Sequence, residues 1–136
     1  MARVRDIGIS DAAFLAGADL SASANRYKFV MLSTSADKVV TGNGASGRAP
    51  IGVLQNSPCA NEEAAVRMLG FTKLIVDCGT CDMAIGNFIT CASDGQGEKQ
   101  TAASAAVHAI AMEAVTGGSA LIEAFLIPFG LTNATT

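Results

Sequence analysis

The sequence predicts an all-β protein, a small barrel or sandwich of about seven short strands with an extended N-terminal arm. Three observations carry that prediction. Short apolar runs rich in strand formers recur about every ten residues. Gly- and Asx-rich turns divide them. The longest run, past Asn61-Glu62-Glu63, alternates as a pleated strand does, with Val66, Met68, Gly70, Thr72 and Leu74 on one face and Arg67, Leu69, Phe71 and Lys73 on the other.

In chain order, residues 1–24 have no sustained period. Ile7, Ile9, Phe14 and Leu15 are separated by Gly, Ala, Ser and Asp, so this stretch reads as an arm whose apolar side chains need a partner surface on this subunit or another. Residues 25–136 read as one β domain. Arg26 to Leu32 is its first strand, and Thr34-Ser35-Ala36-Asp37 turns it into Lys38 to Thr41. Gly42 to Gly47 is a loop. Ile51 to Leu54 is a short apolar run stopped by Gln55-Asn56-Ser57-Pro58, since Pro58 cannot extend a central strand. It pairs with the alternating run ending at Val76. Asn87 to Cys91 is a further strand, followed by the tight Asp94-Gly95 turn. Val107 to Val115 reads as a strand after a short helical turn at Ala102 to Ala106, and Thr116-Gly117-Gly118 is a hairpin signal. Ala120 to Pro128, with Glu123 as its one charge, belongs in the middle of the structure.

Composition bounds the function. The chain of 136 residues fits one domain, able to bury roughly two thirds of its unfolded surface. Half of it is apolar and only 15% charged, which fits a protein whose surface is covered by neighbours in an oligomer or assembly. The net charge of −3, with nine scattered basic residues, offers no patch for a run of phosphates, so nucleic acid is not an expected partner. No apolar stretch has signal-peptide or membrane-spanning character. A soluble protein made in the cytoplasm, with reduced cysteines, is expected.

Three motifs invite a chemical reading. Gly42-Asn43-Gly44-Ala45-Ser46-Gly47 has the dinucleotide-binding spacing, but Arg48-Ala49-Pro50 and a β run follow where a helix must begin. Cys78-Gly79-Thr80-Cys81 has redox spacing, and with Cys59 and Cys91 could form a four-thiolate zinc site. No helix follows Cys81 to lower a thiol pKa, and only one close cysteine pair exists, so thiols filling an Ala-rich core are preferred. His108, the only histidine, lies among Ala and Ile and reads as a core or interface residue. Glu62-Glu63 is a solvated turn, and Glu113 and Glu123 are expected to pair with Arg67 or Lys73 across the sheet or a subunit boundary. With no convergent acid, base, nucleophile or metal set, the chain is expected not to be an enzyme. No cofactor, metal ion, membrane or small-molecule substrate is expected.

The segment order resembles the capsid decoration, or cement, proteins of tailed bacteriophages. The similar residues are Asp19-Leu20-Ser21, Tyr27 to Val30, Ile51-Gly52-Val53-Leu54-Gln55-Asn56-Ser57-Pro58, Ala65 to Lys73, Ser93 to Gly97, Ala109 to Ala114 and Leu121 to Leu126. The Gly-Val-Leu-Gln-Asn-x-Pro element is the most specific of these. The four cysteines and the long arm depart from the family's pattern. The resemblance implies a homotrimer on the outer surface of the virion head, bound to the major capsid protein and stabilising the shell, with no enzymatic activity. A fibre or knob protein is the alternative virion role, and a cysteine-based metal or redox protein the other alternative. Ile7, Ile9, Phe14, Leu15, Leu69 and Phe71 are the expected capsid or subunit contacts.

Overall fold

In the computed structural model, which describes residues 10–34, 37–46, 48–79, 82–101 and 106–132, with backbone alone at 10 and 128–132, the alternating run becomes one strand of 15 residues. In chain order the strands are β1 (Ser10–Ala16), β2 (Phe29–Leu32), β3 (Lys38–Thr41), β4 (Gly52–Leu54), β5 (Glu63–Asp77), β6 (Asp82–Met83), β7 (Phe88–Cys91), β8 (Gly97–Lys99), β9 (Ala106–Ala111), β10 (Val115–Thr116) and β11 (Ser119–Thr132). A 3-10 turn, Ser23–Asn25, is the one helical element among the described residues. The all-β class is as expected. The eleven strands outnumber the expected seven or so, because two- and three-residue strands such as β6, β8 and β10 are too short to show a period.

Strand β5 belongs to two circuits. Its C-terminal half pairs antiparallel with β11, from Gly70 opposite Leu126 to Asp77 opposite Ser119. Strand β11 pairs with β9, β9 with β7 and β7 with β8, and β8 returns to β5 in parallel at Val76 and Gly97, closing a five-stranded barrel. The N-terminal half of β5 pairs with β4 on one edge and β1 on the other. From there β4 joins β2, β2 joins β3, and β3 meets β1 in parallel. Gly70 stands where β5 changes partner from β1 to β11, at a φ of +98° that glycine adopts at no steric cost.

Strands β2 and β4 stand between two cores. Phe29 and Val53 enter the barrel core with Leu74, Val76, Ile89, Ile122 and Leu126, while their neighbours Val30 and Leu54 join Ala16, Leu20, Val39, Ala64 and Val66 in a second core. Successive residues of a strand face opposite ways, and here both faces are buried. That is why Ile51 to Leu54 reads as a continuous apolar run. Each large side chain sealed in this way contributes about 1.5–3 kcal/mol.

Several elements differ from the sequence reading. Ser10 to Ala16, inside the expected arm, is a strand of the chain's own sheet, with Leu15 opposite Glu63 and Asp11 opposite Arg67. Residues 1–9 lie outside the described residues. The first domain strand begins at Phe29 rather than Arg26, because Tyr27 takes a left-handed φ of 70°. Its ring lies under the Arg26 guanidinium at 4.8 Å and the Lys73 ammonium at 5.7 Å. Val107 to Val115 divides into β9 and β10, with the Met112 amide donating to the Glu123 carbonyl at 3.0 Å where the chain bends. Gly117 and Gly118 form no hairpin between β10 and β11. They pass the chain from the two-stranded sheet of β10 and β6 into β11. The helical turn expected at Ala102 to Ala106 falls mainly outside the described residues.

Candidate assembly surface

The Gly52 to Pro58 element builds the junction between the two circuits. Val53 and Leu54 supply one side chain to each core. The Gln55 amide donates to the Val53 carbonyl at 3.1 Å and to Oγ1 of the buried Thr72 at 2.8 Å. Asn56 donates to the Glu63 carbonyl at 2.9 Å and accepts from the Ala65 amide at 3.0 Å, so its side chain prolongs the β4–β5 ladder past the end of β4. The Pro58 carbonyl accepts from the Leu20 amide at 2.9 Å. These side chains are spent on scaffolding.

The motifs with chemical spacing are placed likewise. In the loop after β3, the Gly44 amide donates to the Ala92 carbonyl at 3.1 Å, and a Cβ on Gly44 would run into the Cys91 carbonyl oxygen. The glycine there lets backbone meet backbone, and no helix follows among the described residues. Gly47 is outside the described residues. Cys91 and Cys78 are buried and Cys59 is exposed; Cys81 is outside the described residues. Burial, reinforced by Asp94 and Glu98, pushes the Cys91 thiol up to about 12, far from a reactive thiolate. Among the described residues no three His, Cys, Asp or Glu side chains gather as a metal site. A cleft of about 600 Å³ opens between the Gly44 to Pro50 loop, β7 and β9, with Arg48, Glu98 and His108 among its lining. His108 meets Phe29 edge-on at 6.0 Å, and burial holds its imidazole below the ordinary range.

The charged pairs are rearranged. Arg67 binds Asp11 of β1 through two contacts, 2.8 and 3.2 Å, and donates to the Phe71 carbonyl at 3.1 Å. Glu113 accepts the Glu123 amide at 3.3 Å, and Glu123 is buried opposite Lys73 in register. Arg67 therefore partners β1 rather than Glu113 or Glu123.

The exterior carries the apolar residues. Of the six expected contacts, Phe14 packs half-buried against the second core, whereas Leu15 and Leu69 are 43% and 38% exposed. Phe71 is half-buried on the outer face of β5, its ring 5.1 Å from that of Phe125. Ile7 and Ile9 fall outside the described residues. Phe71 is the first rung of a longer feature. It is opposite Phe125, Phe125 is opposite Ile110, and Ile110 is opposite Phe88, which is 43% exposed. Residues opposite one another share a face, so four adjacent strands present one apolar ribbon outward. Sequence reasoning found Phe71 but not Phe125, Ile110 or Phe88, because register between distant strands leaves no mark on any one of them.

The class that this geometry defines is an all-β scaffold of two strand circuits sharing one long strand, with an apolar exterior. The solved N base of head fiber gp8.5 of bacteriophage phi29 has a similar fold, with a TM-score of 0.59 at 16% identity over 90% of this chain and 98% of that one. No protein-family model matches the sequence. No curated protein matches it.

Proposed function

We propose that the chain is a structural protein of a tailed-phage particle, a decoration protein that binds the outer surface of the head as a homotrimer, contacts the major capsid protein and stabilises the shell. The observation that carries this reading is the fold shared along nine tenths of the chain with a phage head fiber base. Supporting it are the segment resemblance to decoration proteins and the low charge of the chain. The reading includes no catalytic step, cofactor or nucleic acid. Contacts are assigned to Ile7, Ile9, Phe14, Leu15, Leu69 and Phe71, of which Phe14 also packs half-buried against the chain's own second core.

The same fold likeness favours a second reading, the base of a head fibre. Adding the purified chain to undecorated capsids and sedimenting them separates the two. A decoration protein saturates the shell at hundreds of copies. Saturation at a few copies selects the fibre base, and no co-sedimentation at micromolar concentration ends both readings.

A further inference from the structure

We propose that the cleft beside the Gly44 to Pro50 loop binds a neutral saccharide, a role that neither requires nor excludes the capsid reading above. Its floor is a row across three strands. Thr90 of β7 is opposite Glu98 of β8, and in the register that sets Phe88 opposite Ile110 and Ile89 opposite Ala109, Thr90 comes level with His108 of β9. Arg48 lines the cleft from the loop, and Ser93 from just past β7. Buried polar groups are ordinarily hydrogen-bonded. His108 is 8% exposed yet has no hydrogen bond to any described residue, and of the two openings it borders this cleft is far the larger. The side chains of Thr90, Ser93 and Glu98 likewise bond no described residue. Arg48 donates from Nη1 to the Leu32 carbonyl at 3.1 Å, which fixes its guanidinium and leaves Nε and Nη2 to donate elsewhere. Polar side chains thus converge with hydrogen bonds unmade on a cleft of about 600 Å³, within the roughly 300–1,000 Å³ of small-molecule sites.

Charge and the donor inventory select the ligand. Arg48 and Glu98 cancel, and burial disfavours the imidazolium form of His108, which at neutral pH therefore offers one donor and one acceptor. An anion seated on Arg48 would also meet the Glu98 carboxylate, and a cation seated on Glu98 would meet Arg48. A sugar hydroxyl both donates and accepts. One neutral ring can give to Glu98, take from Arg48, and do either with Thr90, Ser93 and His108. Pro50 and Ala106 supply apolar wall for the ring's C–H edges. Among the described residues the lining holds no Phe, Tyr or Trp on which a sugar could stack, so the affinity belongs in the millimolar range.

His108 is the only histidine, so its ring resonances report on the cleft directly in NMR spectra of the full-length protein near neutral pH. Glucose, galactose and N-acetylglucosamine are each titrated to about 50 mM, well above the affinity expected. At least one is expected to move the His108 resonances saturably, with a midpoint of about 1–10 mM. Arg48→Ala and Glu98→Ala, both at exposed positions, are each expected to raise that midpoint at least about five-fold. No saturable shift with any of the three sugars overturns the proposal, and so does a shift that both variants leave unchanged. Free alanine, which carries both charges, is the competing class. A saturable shift at lower concentrations of alanine than of any sugar assigns the cleft to zwitterions and overturns the saccharide.

Discussion

His108 shows what burial does to a single residue. It is 8% exposed, pressed edge-on against Phe29, and burial disfavours its imidazolium form. The folded-state pKa is thus lowered below that of the unfolded chain, near 6.5. Above that pH both states are neutral at this site. Below it the unfolded chain takes up the proton first, so stability falls as pH falls through 6.5. Equilibrium denaturation of wild type from pH 7.5 to 5.5 should show that loss, and His108→Gln should show a shallower slope over the same interval. Equal slopes would place the acid sensitivity elsewhere. The sequence placed His108 among apolar neighbours correctly. It carried no sign that Gly42 and Gly44 serve close packing on β7, since that requirement comes from Cys91, far along the chain.

At the scale of elements, β1 is the revealing case. Read alone, residues 10–16 lack a strong period, because their small residues, Ala12, Ala13 and Ala16, give little contrast between faces. The pairing partners are what make the strand: β5 along one edge, β3 near its end, and the Asp11–Arg67 bridge, whose arginine is only 12% exposed. Deleting residues 2–16 should strip one wall from the second core, leave Arg67 without its carboxylate, and cost at least about 3 kcal/mol in denaturant titrations. A 2–16 deletion as stable as full length would mean that β1 is dispensable to the fold. Strand β5 was legible in advance, inner face and outer face alike, since 15 residues of alternation give a period time to show.

For the whole molecule, the sequence carried the class, the hairpin of β2 and β3, the pairing of β4 with β5 and the Asp94-Gly95 turn. It did not carry the return of β8 to β5, the sharing of β5 by two circuits, or the four-strand ribbon. Each of these is a long-range register, fixed by how two cores close rather than by any local pattern. The candidate surface was half legible for the same reason, with Leu69 and Phe71 visible and their partners on β7, β9 and β11 not. A reconstruction of the phage particle that carries this chain tests the central claim most directly. The account predicts trimers of this fold in hundreds of copies on the outer face of the head, seated on the major capsid protein. Density for it at only a few sites, inside the shell, or nowhere on the particle would contradict that claim.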